Sequence, residues 1–320
     1  MKKMINLLKA IIYRNPLAIA LHSKIENKKI RIIIDVCLFP IALIYLIVFV
    51  YPLLLIENYK KNYKYNICIT AIVKNEGIYL SEWIKYYKNI GIDHIYLYDN
   101  DSIDNTEDII QKYIENGFIT YKKMPGYKRQ FDAYNNALNK YKLETKYMMF
   151  IDADEFLFSP SKVDIKELYK KINNKKSGVV INWMMFGSSH LREKTNELVI
   201  KRFVYRSKEC EEVNKHIKSI INPRHVVGFM NAHYPIYLLS HYAINLNDDR
   251  ISGAFSDYYG DIFRINHYFT KSYEEYIDKM NRGKADGDAK REIIEFNKQD
   301  KNDIYDNSMN RYYEIIEKEL

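Results

Sequence analysis

Glycine and proline are scarce in this chain, at 11 and 7 of 320 residues. The glycine-rich phosphate loop that a nucleotidyltransferase needs after its first strand is missing; Lys74-Asn75-Glu76 stands there instead. Cysteine is nearly absent. Cys37, Cys68 and Cys210 form no CxxC pair and no Cys/His cluster, which excludes a disulfide framework and a zinc site and fits a reducing compartment. The folded part also lacks a basic footprint. Residues 1–31 hold eight Lys and Arg against Glu26 alone, so of the formal +8 only about +1 is left for the rest. A nucleic-acid binder carries its charge on the folded domain, so no nucleic-acid partner is expected.

The basic residues sit in front of the one long apolar run, a pattern suited to anionic lipid. Val36 to Ile56 are 21 residues without a charge, enough to span a bilayer. The run is too long and too far from the terminus for a signal-peptide core. Asp35, Pro40 and Pro52 interrupt it, and Lys60, Lys61 and Lys64 follow it. Basic flanks on both sides favour a re-entrant or in-plane helix, with both ends and the folded domain on the cytoplasmic face. The sequon Asn100-Asp101-Ser102 falls in a predicted ligand loop, which also speaks against a lumenal domain. Three segments result: 1–64 basic and membrane-associated with the helix at about 36–56, 65–283 folded, and 284–320 a charged helical tail.

From residue 65 strand and helix alternate. Apolar, β-branched runs at 65–73, 94–98, 118–124 and 147–151 are separated by amphipathic segments at 79–89, 104–116 and 129–141. Single helices between strands predict an α/β fold with a doubly wound sheet. Ligands then sit at the carboxyl ends of the strands. The polar clusters fall there: Lys74-Asn75-Glu76, Asp99-Asn100-Asp101 and Asp152-Ala153-Asp154-Glu155. Beyond 158 the expectation is a helix at 164–173, a strand at 178–183, extended segments at 198–205, 216–221, 226–233 and 262–268, and a helix at 272–283.

Asp152-x-Asp154 after an apolar strand carries the chemistry. Two carboxylates at a strand end reach one Mg²⁺ or Mn²⁺, which takes its further oxygens from a diphosphate. Asp99 suits a base or ribose hydroxyl, although its Asp-Asn-Asp-Ser run also favours a turn. Arg129, opening a helix after Pro125-Gly126, suits phosphate or a surface position equally. His233 and His267 follow extended apolar segments, and either can complete a metal site or serve as a structural imidazole. Lys271 lies near enough to His267 in sequence to meet a diphosphate. Trp183 and Phe186 offer a sugar-stacking wall or simply core, with core the stronger reading for Trp183.

Together these motifs resemble glycosyltransferase family 92 and its bacterial relatives of the family 2 type. The residues are Ala71-Ile-Val-Lys-Asn-Glu76, Tyr98-Asp-Asn-Asp-Ser-Ile-Asp104, Arg129-Gln-x4-Asn135, Phe150-Ile-Asp-Ala-Asp-Glu-Phe156, Trp183-x-x-Phe-Gly-Ser-Ser189 and Asn266-His-Tyr-x-x-Lys-Ser272 with Lys279 and Arg282-Gly283. The resemblance implies a GT-A fold, a mixed sheet, and an inverting, metal-dependent hexosyltransferase. The donor would be a nucleotide-sugar, of which a UDP-sugar is favoured, and the acceptor a cell-surface or lipid-linked glycan. It maps nucleotide contacts onto Asp99 and Arg129, and Lys74, Glu76, Asp152 and Lys271 join them as candidate donor-binding residues. The metal falls to Asp152, Asp154 and His267, with His233 second. Glu155 is the choice of general base, with Asp248, Asp249 and Asp257 as alternatives. His190 departs from the commoner Phe-Gly-Ser-Ser-Gly and leaves the acceptor loop open. The competing reading is a membrane-bound protein of the same fold that binds glycan or nucleotide-sugar without turnover. Retention of both aspartates and both histidines argues against it.

Overall fold

The computed structural model describes residues 2–22, 24–25, 27–53, 62–282 and 291–318. Three helices come first: α1 (Lys2–Arg14), α2 (Pro16–His22) and α3 (Lys28–Tyr45), the last prolonged by a π turn through Val50. Pro40 does not break α3, contrary to the expectation from its sequence. The last residues of the predicted 36–56 run, 54–56, lie outside the described residues, as does Gly283.

The sheet is built on β1 (Tyr65–Val73), followed by α4 (Gly77–Asn89), β2 (His94–Asp99), α5 (Thr106–Glu115), β3 (Ile119–Lys123), α6 (Gln130–Tyr141) and β4 (Thr145–Phe150). These four strands run parallel in the order β3-β2-β1-β4. Ile67–Val73 of β1 are buried without a break, which is why the strand reads as a continuous apolar run. Alternate residues serve opposite faces. Ile69, Ala71 and Val73 pack with Leu80, Trp83 and Ile84 of α4. Cys68 and Ile72 pack with Ala133, Tyr134 and Leu138 of α6 on the other face.

The second half widens the sheet. After β5 (Glu155–Phe158) and the short α7 (Lys166–Lys170) comes β6 (Lys176–Met185). Residues 198–205, expected to be extended, form α8 (Val199–Arg202) before β7 (Tyr205–Arg206). β8 (Ile217–Ile221) then inserts antiparallel between β4 and β6. β9 (Val226–Phe229) and β10 (Pro235–Tyr237) pair as a separate two-stranded sheet; β11 (Tyr242–Ile244) and β12 (Arg250–Ile251) extend the main sheet beyond β6. β13 (Arg264–His267) pairs with both β5 and β6, and α9 (Tyr273–Arg282) follows it. The result is a mixed, parallel-rich sheet of GT-A type with helices on both faces.

The tail is not the solvated helix its charge suggests. α10 (Ile293–Gln299), β14 (Ile304–Tyr305) and α11 (Tyr313–Lys318) pack on the domain. β14 pairs with β7, and Met309 and Ile316 join the main core.

Candidate active site

The loops after β1 and β2 lock together before any ligand enters. Asn75 and Asp101 hold left-handed backbone, φ 52° and 59°. The Asn75 N–H donates to Ser102 Oγ (2.9 Å), and the Ile103 N–H donates to Asn75 Oδ1 (2.8 Å). Gly77 sits close against this loop: a Cβ would lie 2.4 Å from Asn105 Oδ1 and 3.0 Å from the Thr106 backbone nitrogen, so a larger residue would push the loop. Asp99 is buried with both oxygens taken: Oδ1 accepts from the Ser102 N–H (2.9 Å) and Oδ2 from the Tyr121 hydroxyl (2.6 Å). In this geometry Asp99 closes the turn, with one lone pair on each oxygen left over.

Arg129 is also not offered to a ligand. It is 1% exposed, pairs with Asp132 and points Nη2 at Met124 Sδ (3.1 Å). Tyr13 and Arg31, from α1 and α3, lie within its electrostatic reach, so the amino-terminal helices cover this end of α6.

The end of β4 is where polar groups converge. Asp152 accepts at Oδ1 from Gln130 (3.1 Å) and Tyr134 (3.3 Å) and at Oδ2 from the Lys218 ammonium (2.7 Å). Lys218 comes from β8 and is fully buried. It also faces Glu155 Oε2 at 3.3 Å, and the same oxygen accepts the Asp152 N–H at 2.9 Å. Glu155 is 0% exposed, beneath the turn and out of an acceptor's reach. Burial pushes its carboxyl well above the ordinary range despite Lys218. Burial works against the Lys218 charge too, but Asp152 and Glu155 keep it an ammonium.

Asp154 faces the other way. Oδ2 accepts from Lys279 of α9 at 2.6 Å, and Oδ1 lies 3.6 Å from His267 Nε2 at the end of β13. Burial alone would raise this carboxyl, yet Lys279 and then His267 hold it well below the usual range. Burial lowers the His267 pKa and keeps the imidazole neutral, while its Nδ1 has no partner among the described residues. A carboxylate facing a neutral imidazole fits a divalent ion. Neighbouring ligands around an octahedral Mg²⁺ or Mn²⁺ lie roughly 3 Å apart, close to the separation seen. Among the described residues no group of three or more His, Cys, Asp or Glu is so placed, so an ion here takes its other ligands from substrate or water.

A cationic wall stands beside the pair. Lys271 holds left-handed backbone, φ 50°, with Nζ 4.0 Å above the Tyr79 ring and 4.0 Å from Glu76 Oε2. Arg282 pairs with Glu76 at 2.5 Å and donates to the carbonyls of Lys74 (3.2 Å) and Asn75 (2.8 Å). Lys271, Lys279 and Arg282 line one cleft with Asn75 and Tyr79. Lys74 thus contributes its carbonyl, and Glu76 is the anchor for Arg282. Lys218, and the contacts of Lys279 and Arg282 with the carboxylates, escaped sequence reasoning because β8 and α9 reach the site only through the fold.

His233 is not beside Asp154. Its Nδ1 meets the Ile217 carbonyl (3.0 Å), and burial, then Lys218, lower its pKa to about 3. Trp183 is half-buried, 4.2 Å from His267 between ring centroids, whereas Phe186 is core. The Gly187-Ser-Ser loop faces the carboxyl-terminal segment: the Ser188 and Ser189 N–H groups donate to Asp300 (2.6 Å) and Asn302 (2.8 Å). His190 has φ 64°, a backbone for which glycine is the commoner choice. Asp248 pairs with Lys171 and Lys176, and Asp249 closes a turn with Asn245. Asp257 is exposed.

The chain is 25% identical over 223 residues to a glycosyltransferase family 92 protein of Ricinus communis, covering 68% of this chain and 38% of that protein. It therefore spans under two fifths of that relative's length. A galactan beta-1,4-galactosyltransferase of Arabidopsis thaliana is 29% identical over 123 residues, 35% of this chain and 24% of the relative. The crystal structure of S. aureus TarS 1–349 in complex with UDP aligns over 49% of this chain and 47% of that one, with 15% identity and a TM-score of 0.33. The description of glycosyltransferase family 92 matches residues 63–314, most of the chain, and to that family the chain belongs.

Proposed function

We propose that the chain is a divalent-metal-dependent, inverting glycosyltransferase, moving a hexosyl unit from a nucleotide-sugar, in our reading a UDP-sugar, to a cell-surface or lipid-linked glycan. The observation that carries this is the pairing of Asp154 with His267 and Lys279 at one strand end. The similarity to a galactan beta-1,4-galactosyltransferase supports a hexosyl unit and a glycan acceptor. Asp154 and His267 would hold Mn²⁺ or Mg²⁺, which when bound supplies positive charge against the leaving diphosphate. Lys279 and Lys271 face the same space and are suited to diphosphate oxygens, with Arg282 fixing the β1 loop beside them. Asp152, less buried than Asp154, is suited to the sugar or ribose hydroxyls. Glu155 acts as a positioning residue that holds the Asp152 N–H and Lys218. The reaction takes place at the cytoplasmic face of a membrane, where α1–α3 lie in the lipid surface.

The test uses the full chain in detergent with UDP- and GDP-sugars. Wild type is expected to bind one donor class in Mn²⁺ and to lose it in EDTA. Asp154→Asn should weaken metal-dependent binding by roughly 100-fold or more. A folded wild type that binds no nucleotide-sugar sinks the proposal and leaves the non-catalytic reading.

A further inference from the structure

An aromatic row leads from the Asp154 site to the surface. It starts at His267, whose Nε2 is 3.6 Å from Asp154 Oδ1. Trp183, at the end of β6, is next, 4.2 Å away between centroids. His216 stacks on Trp183 at 4.8 Å and 17°. Phe255 closes the row, edge-on to His216 at 4.6 Å. His233 flanks Trp183 at 4.9 Å.

The bland explanation of such a row is core packing. Two observations oppose it. Phe255 is 58% exposed, although an aromatic ring is among the costliest groups to leave in water. Trp183 is half-buried, and its indole N–H has no partner among the described residues, whereas the Trp83 N–H donates to the Glu155 carbonyl.

The row is also held rigidly. The backbone N–H of Trp183 donates to the His216 carbonyl (2.8 Å), that of Ile217 to the Ala254 carbonyl (3.2 Å), and that of Ser256 to the Lys215 carbonyl (2.9 Å). The histidine tautomers are fixed as well. A carbonyl only accepts, so Nδ1 of His216, 3.0 Å from the Val213 carbonyl, carries the proton. The same holds for Nδ1 of His233, 3.0 Å from the Ile217 carbonyl. In both rings Nε2 is left as an acceptor.

We propose that this row is the acceptor subsite, taking consecutive neutral pyranose units that lay an apolar C–H face on the exposed Phe255 ring and pack against the open edge of Trp183, while hydroxyls donate to His216 and His233. Aromatic faces with a few convergent polar atoms are what a sugar requires, apolar on one side and hydroxyl-rich at its edge. The proposal rests on the transferase reading, since the row matters only if a donor sits at Asp154.

Trp83 is buried and Trp183 is the only other tryptophan, so intrinsic fluorescence reports on the row. The full chain, with Mn²⁺ and UDP present, is titrated with β-1,4-galactotetraose, cellotetraose and maltotetraose. Separate calorimetry measures UDP binding. We expect one oligosaccharide to change the emission saturably, the change to vanish in Trp183→Phe, and half-saturation to rise about tenfold in Phe255→Ala. Leu239→Ala, at another exposed apolar residue, should leave half-saturation unchanged. UDP binding without any oligosaccharide response, or a response unmoved by Phe255→Ala, overturns the subsite. Absence of UDP binding by the wild type is instead a failure of the donor reading.

Discussion

Lys218 has no water to fall back on. It lies wholly buried between Asp152 and Glu155, two carboxylates of one turn after β4, and is itself brought there by β8. Removing one member of a buried ionic group leaves the rest uncompensated, at a cost of about 3–5 kcal/mol. Lys218→Met should therefore lower unfolding free energy by about 3 kcal/mol, read from urea titrations, and lower turnover by letting Asp152 move. Adding Glu155→Gln should recover part of that stability; a single-variant loss below about 1 kcal/mol would contradict the triad. The aspartates were legible from sequence because an apolar strand followed by Asp-x-Asp is a local signal. Lys218 was not, since one lysine in Ile-Lys-Ser-Ile-Ile resembles any other until β8 is laid beside β4. Arg129 was misleading for the opposite reason. Its local setting, a helix start after Pro-Gly, suits phosphate, but the fold buries it, with α1 and α2 packed on the helix it opens.

Among elements, α9 is the one that brings Lys279 to Asp154. Its start is pinned by Glu275, which receives both Nη groups of Arg202 (2.9 and 2.8 Å) and the Tyr79 hydroxyl (2.8 Å). Burial opposes the Glu275 charge, but Arg202 and Ser272 depress its pKa from 4.5 to about 2. A depressed carboxyl stabilises the fold above its unfolded pKa, and that contribution fades as pH falls through the folded value. Glu275→Gln should thus cost about 3 kcal/mol at pH 7, and the gap from wild type should narrow between pH 4.5 and 2. Denaturant titrations across that range check the sign; a gap constant with pH would exclude the ion pair as its source. Periodicity located α9 and the parallel strands to within a few residues, because each has one strongly patterned face. It gave no orientation for β8, and charge made a solvated tail of residues 284–320, where the described anchors Met309 and Ile316 are too few to show a pattern.

At the scale of the whole molecule, the amino-terminal helices dock on the folded domain. Lys29–Val50 is a helix of 22 residues, long and apolar enough to cross a membrane by length and composition. Yet Leu38, Ala42, Leu46 and Val50 form one stripe at four-residue spacing that packs with Ala10 and Ile11 of α1 and with Val227 and Leu238 of the catalytic domain. A helix docked along this stripe cannot cross a bilayer without taking β9 and β10 with it. Its opposite face is apolar and open, with Ile33 at 63%, Val36 at 69% and Ile44 at 61% exposure, and Lys9, Lys24 and Lys29 are exposed on the same three-helix unit. Such a face, with cations around it, suits an anionic lipid surface. The one acid within these helices, Asp35, is paired with His22 at 2.8 Å. The full chain should float with vesicles containing phosphatidylglycerol, weakly with phosphatidylcholine alone, and Val36→Lys with Ile44→Lys should abolish flotation. Cys37, exposed on the open face, should lose reactivity to a polar maleimide when lipid is bound. To separate an in-plane helix from a span, Lys24→Cys and Asn62→Cys are placed singly in a chain lacking Cys37 and Cys210. In sealed membranes both should react from the same side; reaction from opposite sides would establish a span and end the in-plane reading.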